Sequence, residues 1–147
     1  MFVEKMVTTA RERLVTVSHD APLVDAARLL GSTKTDLVVV CGSSGRLSGV
    51  ITKTDVVRQI SRCQGSICTV AVSATMTEDV VSCQPTDQVS DIWAIMKERR
   101  LKNIPVTDAA SVPIGVLNAR DALQVLLTEV EHEEALLRDY VMCAGYR

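Results

Sequence analysis

One stretch of this chain is written twice, as Gly49-Val50-Ile51-Thr52-Lys53-Thr54-Asp55 and as Gly115-Val116-Leu117-Asn118-Ala119-Arg120-Asp121. The copies stand 66 residues apart (115 − 49), and so do Asp25 and Asp91 upstream of them. With that offset and no gap, Leu23, Ala26, Ala27 and Leu30 fall on Val89, Ile92, Trp93 and Met96. Leu37-Val38-Val39-Val40 falls on Asn103-Ile104-Pro105-Val106. A unit of this size is too small to bury an adequate core alone, so the duplication requires two units packed on each other.

Each copy reads as a buried apolar strand behind a glycine, then a hydroxyl or amide residue, then an aspartate three places on, with a helical apolar pattern beyond. A strand that feeds a helix N-terminus presents unpaired backbone N–H groups and a partial positive charge, which suit a phosphate or carboxylate. The same residues also form a capping signature, in which Thr52 with Asp55, or Asn118 with Asp121, satisfies the N–H groups of its own helix. Residue grammar leaves both readings open.

Taken in order, residues 1–13 read as a polar, irregular N-terminal arm, with Arg11 and Arg13 on either side of Glu12. Leu14-Val15-Thr16-Val17 is a short strand, and Asp20 to Gly31 a helix with Pro22 in its first turn and Gly31 at its end. Leu37–Cys41 and Leu47–Ile51 pair as a hairpin across Gly42-Ser43-Ser44-Gly45, and a second helix runs from Asp55 to Ile60. The first repeat thus spans residues 14–62 as strand, helix, strand, strand, helix. A linker over 63–75 is loosest at Gly65 and Ser66. The second repeat spans 76–127, with a strand at Val80-Val81-Ser82-Cys83 and a helix from Thr86, its N-cap, to Arg99. Pro105 lacks a ladder donor, which places it at a sheet edge or beside a ligand. Residues 128–147 extend the last helix, whose apolar positions Leu123, Leu126, Leu127, Val130, Leu137 and Val141 alternate with glutamates.

Composition excludes several functions. With 18 acidic and 16 Lys or Arg residues, a net charge of −2 and 3% aromatics, the chain lacks the basic excess and the stacking platforms of a nucleic-acid binder. No apolar run approaches a membrane span and the N-terminus has no secretory core, so the expected location is the cytoplasm. The five cysteines, Cys41, Cys63, Cys68, Cys83 and Cys143, form no C-x-x-C pair, and His19 and His132 lie far from them in sequence, so no metal site or disulfide framework is expected. No nucleophile stands near a base in any motif, and no paired-acid signature accompanies the repeats, so catalysis is not expected.

The order of elements, the two Gly-h-h-Thr/Asn-x-x-Asp copies and the Leu101-Lys102-Asn103-Ile104-Pro105-Val106 stretch together resemble a pair of CBS domains, the module named after cystathionine beta-synthase. The resemblance runs from about Leu14 to Leu127. It implies an α+β fold of two tandem repeats about a pseudo-twofold axis, with clefts that bind AMP, ADP, ATP, S-adenosylmethionine or a dinucleotide such as NAD(H), and no catalysis. It also implies residue roles. In the first site, Asp55 holds the ribose, Thr52 and Thr54 the phosphate or ribose, Val15, Thr16 and Val17 flank the adenine, and Lys102 approaches the phosphate. The second site uses Val80, Val81, Ser82, Asn118, Arg120 and Asp121. There Asn118 replaces the usual hydroxyl residue, and Lys34-Thr35-Asp36 faces it without a proline.

The function implied is a regulatory module that senses an adenosine-containing metabolite and passes occupancy to an unknown regulated protein. The alternative is a structural interaction module with an empty cleft. Paired modules of this family dimerise into discs, so a homodimer is expected, with the C-terminal helix packed on its own module or on the second subunit.

Overall fold

A computed structural model describes residues 1–32, 35–62 and 69–145. Lys34, the linker positions Gly65 and Ser66, and the extreme C-terminus of the expected helical extension lie outside the described residues.

In the first repeat, β1 (Thr16–Ser18) is followed by α2 (Leu23–Ser32), β2 (Leu37–Cys41), β3 (Leu47–Thr52) and α3 (Lys53–Arg62). The short helix α1 (Val7–Glu12) precedes them. The sheet order is β1-β2-β3, with β1 parallel and β3 antiparallel to β2. The second repeat supplies α4 (Val89–Arg99), β4 (Asn103–Thr107), β5 (Pro113–Asn118) and the 27-residue α5 (Ala119–Gly145). The two hairpins match residue for residue, since Val40 pairs with Gly49 and Val106 with Gly115, and both ladders slip one residue later. Their turns match as well. Gly45 and Ser111, 66 positions apart, both take positive φ, of 80° and 66°.

The expected strand at Val80–Cys83 is not formed, and only Cys83 makes a parallel bridge, to Val106. The cause is a proline at each end: Pro85 stands at the position of His19, whose N–H donates to the Cys41 carbonyl at 3.0 Å, and Pro105 blocks the other end. In the first repeat the Val39 N–H donates to the Val15 carbonyl at 2.8 Å. Pro105 stands at the position of Val39 and has no N–H to give, so the ladder begins one step later, with the Cys83 N–H donating to the Pro105 carbonyl at 3.0 Å.

The N-terminal segment also departs from expectation. Instead of an irregular arm it forms a 3-10 turn (Val3–Met6) and α1, and Val3, Met6 and Ala10 are buried. They pack against Val89, Ile92, Met96, Ile104 and Leu117 of the second repeat. The segment before the second repeat returns the exchange, because Val72 enters the core formed by Leu23, Ala26, Val38 and Ile51 of the first. Each leader also closes a helix start on the opposite repeat. The Leu23 N–H donates to the Val70 carbonyl at 2.7 Å, and the Val89 N–H to the Met1 carbonyl at 2.9 Å. The backbone thus does the work expected of a Thr86 cap, and α4 starts at Val89 with no side-chain cap.

The exchange explains the repeated glycine. A Cβ at Gly49 would lie 2.7 Å from the Thr77 carbonyl oxygen, and one at Gly115 would lie 2.8 Å from the carbonyl carbon of Ala10. Between the repeats, Leu37, Val39, Val50 and Val116 form a third apolar cluster that joins the two sheets. The expected two-repeat α+β fold with a long C-terminal helix is the fold observed.

Candidate functional site

Two clefts open beside the inter-sheet cluster. The first, a cavity of about 520 Å³, is lined by Thr52, Lys53 and Thr54 at the start of α3, by Arg100, Leu101, Lys102 and Asn103 before and at the start of β4, and by Asp36 and Leu37. Three cations thus face one carboxylate, and Lys53 Nζ lies 3.5 Å from Asp36 Oδ1. Arg100 is placed by the C-cap of α4, where it adopts the left-handed conformation with φ of 57° and the Leu101 N–H closes on the Met96 carbonyl at 2.8 Å. The positive end of a helix, the Thr54 hydroxyl and flexible ammonium groups together suit a phosphate.

Asp55 sits beneath this cleft rather than on its wall. Its side chain is nearly buried, and Oδ2 accepts from the Thr52 N–H at 3.0 Å and the Thr52 hydroxyl at 3.1 Å. The Asp55 N–H lies 3.3 Å from Thr52 Oγ1, which completes a reciprocal cap. The Thr77 hydroxyl donates to Oδ1 at 3.2 Å, and the Arg58 guanidinium stands 3.6 Å away. This carboxylate therefore ties α3 to β3 and to the leader of the second repeat. Thr77 was absent from the residues that the motif suggested.

The second cleft comprises two adjoining cavities. One, of about 290 Å³, is lined by Glu12, Arg13, Val15, Thr35, Asp36, Asn103, Val116 and Asn118. The other, of about 410 Å³, is lined by Arg13, Asp36, Lys102, Asn118, Ala119 and Arg120. Asn118 caps α5 by accepting the Arg120 N–H at 2.9 Å, and its amide donates to Asn103 Oδ1 at 3.0 Å. Arg13 holds the Asp121 carboxylate through Nε and Nη2. Arg13, Asn103 and Asp36 are wall residues outside the motif copies. Asp36 had two signals, the Lys34-Thr35-Asp36 stretch read as facing this site and the repeat offset that places it on Lys102.

The structure therefore regroups the candidate residues. Thr52, Thr54 and Lys102 come together in the first cleft. Val15 lines the second cleft, beside Asn118, because the chain leaving α1 runs along the second repeat before it enters β1. Thr16 is exposed and Val17 packs on the first core. Val80 packs on the inter-sheet cluster, Val81 on the second core, and Ser82 is exposed.

Away from the clefts, burial raises the Cys41 thiol pKa, and burial with the nearby Asp87 charge raises that of Cys83 to about 12, so both are small core-side groups rather than thiolates. Among the described residues no set of three or more His, Cys, Asp or Glu side chains could hold a metal ion. No helix among them is long and apolar enough to cross a membrane.

Comparison with known proteins agrees with this architecture. The homoserine O-acetyltransferase of Methanococcus vannielii is 27% identical over 106 residues, which cover 72% of this chain and 21% of that enzyme. The chain spans about a fifth of the length of the first curated relatives it matches. The CBS-domain containing protein ATU1752 from Agrobacterium tumefaciens superposes with a TM-score of 0.71 at 27% identity, covering 85% of this chain and 98% of that one. CBSX2, whose structure is in complex with AMP, gives 0.68 at 21% identity, over 80% and 90% of the two chains. The CBS domain pair of protein MJ0100, in complex with 5-methylthioadenosine and S-adenosyl-L-methionine, gives 0.65 at 18%, over 77% and 91%. The CBS domain family matches twice, over residues 3–62 and 71–128, so each match starts at the exchanged leader that its repeat lends to the other, and the chain belongs to the CBS domain family as a tandem pair.

Proposed function

We propose that this chain is a regulatory module that binds an adenosine-containing ligand, with AMP, ADP or ATP ahead of S-adenosylmethionine and NAD(H), and that it carries no catalysis of its own. The observation that carries the reading is the first cleft, where Thr52, Thr54, Arg100 and Lys102 surround the N-terminus of α3. An adenine nucleotide matches it chemically, because a phosphate takes up the Thr54 hydroxyl, the helix end and the ammonium groups while Leu37 and Leu101 offer apolar contact. The AMP-bound CBSX2 structure supports the same ligand class. Asp55 acts as the residue that positions Thr52, and the second cleft uses Asn118, Arg120 and Asp121 with Val15 as its apolar flank.

Occupancy reaches an unidentified regulated protein through the orientation of the repeats, which the exchanged leaders couple. This requires different affinities in two arrangements. The working form is a cytoplasmic homodimer, in which Val57, Ile60, Leu123 and Leu127 on the outer helices, 39–64% exposed here, become covered. One observation favours the rival reading of a purely structural pair: the Asp55 carboxylate is already engaged by Thr52 and Thr77.

Thermal melts with AMP, ADP and ATP separate the two. A ligand at 100 times its Kd adds roughly 2.7 kcal/mol to the binding state. A melting temperature that stays fixed with every adenine ligand at millimolar concentration refutes the sensor reading.

A further inference from the structure

Lys102 lines both the 520 Å³ cavity beside Thr52 and Thr54 and the 410 Å³ cavity beside Asn118 and Arg120. Its counterpart by the repeat offset, Asp36, lines both as well. The clefts thus share the neutral Asn103, which lines the 290 Å³ cavity as well, and one pair of equivalent charged positions, one cationic and one anionic. The Lys102 backbone is pinned there, because its carbonyl accepts the Ala119 N–H at 2.8 Å, so only its flexible side chain chooses a direction. The Asp36 carboxylate offers a phosphate nothing in either cleft.

We infer that the two clefts compete for the Lys102 ammonium, so that a phosphorylated ligand in one weakens the binding of a phosphorylated ligand in the other. This rests on the proposed nucleotide binding. The ammonium has three N–H donors but a single charge, so with both clefts filled that charge is divided between two phosphates, which also face Asp36 and each other. Couplings between sites typically fall between about 5-fold and 150-fold. A nucleoside without phosphate makes no claim on Lys102, so it feels no coupling.

The test is calorimetric titration of the full chain with AMP and with adenosine, in the wild type and in Lys102→Ala and Lys102→Arg. The expected result is that the two AMP steps differ by about tenfold more than the two adenosine steps. Lys102→Ala should weaken the tight AMP step and spare the weak one, so that the steps converge, while Lys102→Arg keeps them apart. AMP that fills one cleft where adenosine fills two is the same coupling at its limit. AMP steps no further apart than those of adenosine, or equal weakening of both AMP steps by Lys102→Ala, would overturn the competition and leave nucleotide binding intact. Failure of both AMP and adenosine to bind would remove the nucleotide reading and this inference with it.

Discussion

Arg13 grips Asp121 with two nitrogens, Nε at 2.7 Å from Oδ2 and Nη2 at 3.2 Å from Oδ1. The pair ties the end of the N-terminal leader to the first turn of α5, and so closes the exchange of leaders at the rim of the second cleft. Both side chains are partly exposed, and such pairs contribute only about 0.2–1 kcal/mol. Arg13→Ala and Asp121→Ala should therefore each destabilise by less than about 1 kcal/mol. Their double variant should cost less than the two singles together. Strictly additive losses in chemical denaturation would show that the two side chains do not support each other.

Asp55 differs from its repeat counterpart Asp121 in its surroundings. It is 5% exposed and accepts from both groups of Thr52 and from Thr77, so its removal takes the partner from three part-buried donors. Asp55→Ala should cost about 1–3 kcal/mol of fold stability, more than Asp121→Ala. AMP affinity should fall far less than stability. An Asp55→Ala protein of unchanged melting temperature but more than tenfold weaker AMP binding would make Asp55 a direct ribose contact.

The contrast between the two aspartates shows where sequence reading succeeds and stops. The 66-residue offset correctly maps one hairpin onto the other, down to the ladder slip and the positive φ shared by Gly45 and Ser111. It does so because strand pairing and turn geometry are local and were duplicated with the sequence. The leaders were not legible. Val3, Met6 and Ala10 are spaced for a helical face, but the polar residues among them hide it, and the surface that this face covers lies 79 to 89 residues away at Val89 and Ile92. The grouping of residues into clefts turns on the same crossing. Val15 packs on the first core and also lines the second cleft, since the leader crosses between repeats before β1.

The repeated glycines give a test of the exchange itself. Alanine at either place needs space that backbone fills, the Thr77 carbonyl at Gly49 and the Ala10 backbone at Gly115. Overpacking of this kind costs roughly 1–3 kcal/mol. Gly115→Ala should also loosen α1, so the amides of residues 7–12 should exchange faster while those of β2 keep their protection. A Gly115→Ala variant with wild-type stability and unchanged exchange in α1 would mean that the leader does not press on β5.

Pro105 offers the last test, because with Pro85 it removes the two ladder donors that His19 and Val39 supply in the first repeat. Pro105→Val supplies the N–H that Val39 uses to reach the Val15 carbonyl at 2.8 Å, and its partner by the repeat offset is the Val81 carbonyl. Pro105 is buried, and valine is close to it in volume, so packing should survive. Loss of the proline frees the unfolded chain and costs about 0.4–1 kcal/mol, while a new hydrogen bond returns about 0.5–1.5 kcal/mol, so stability should change little. Hydrogen exchange is the deciding measurement. The amide at position 105 should be protected to the level of Val39, and Ser82–Cys83 should pair with β4 as a short third strand, which Pro85 still ends one residue earlier than in the first repeat. An amide at 105 that exchanges as fast as those of the exposed Ala109–Ala110 turn would show that something other than the proline keeps the strand from forming.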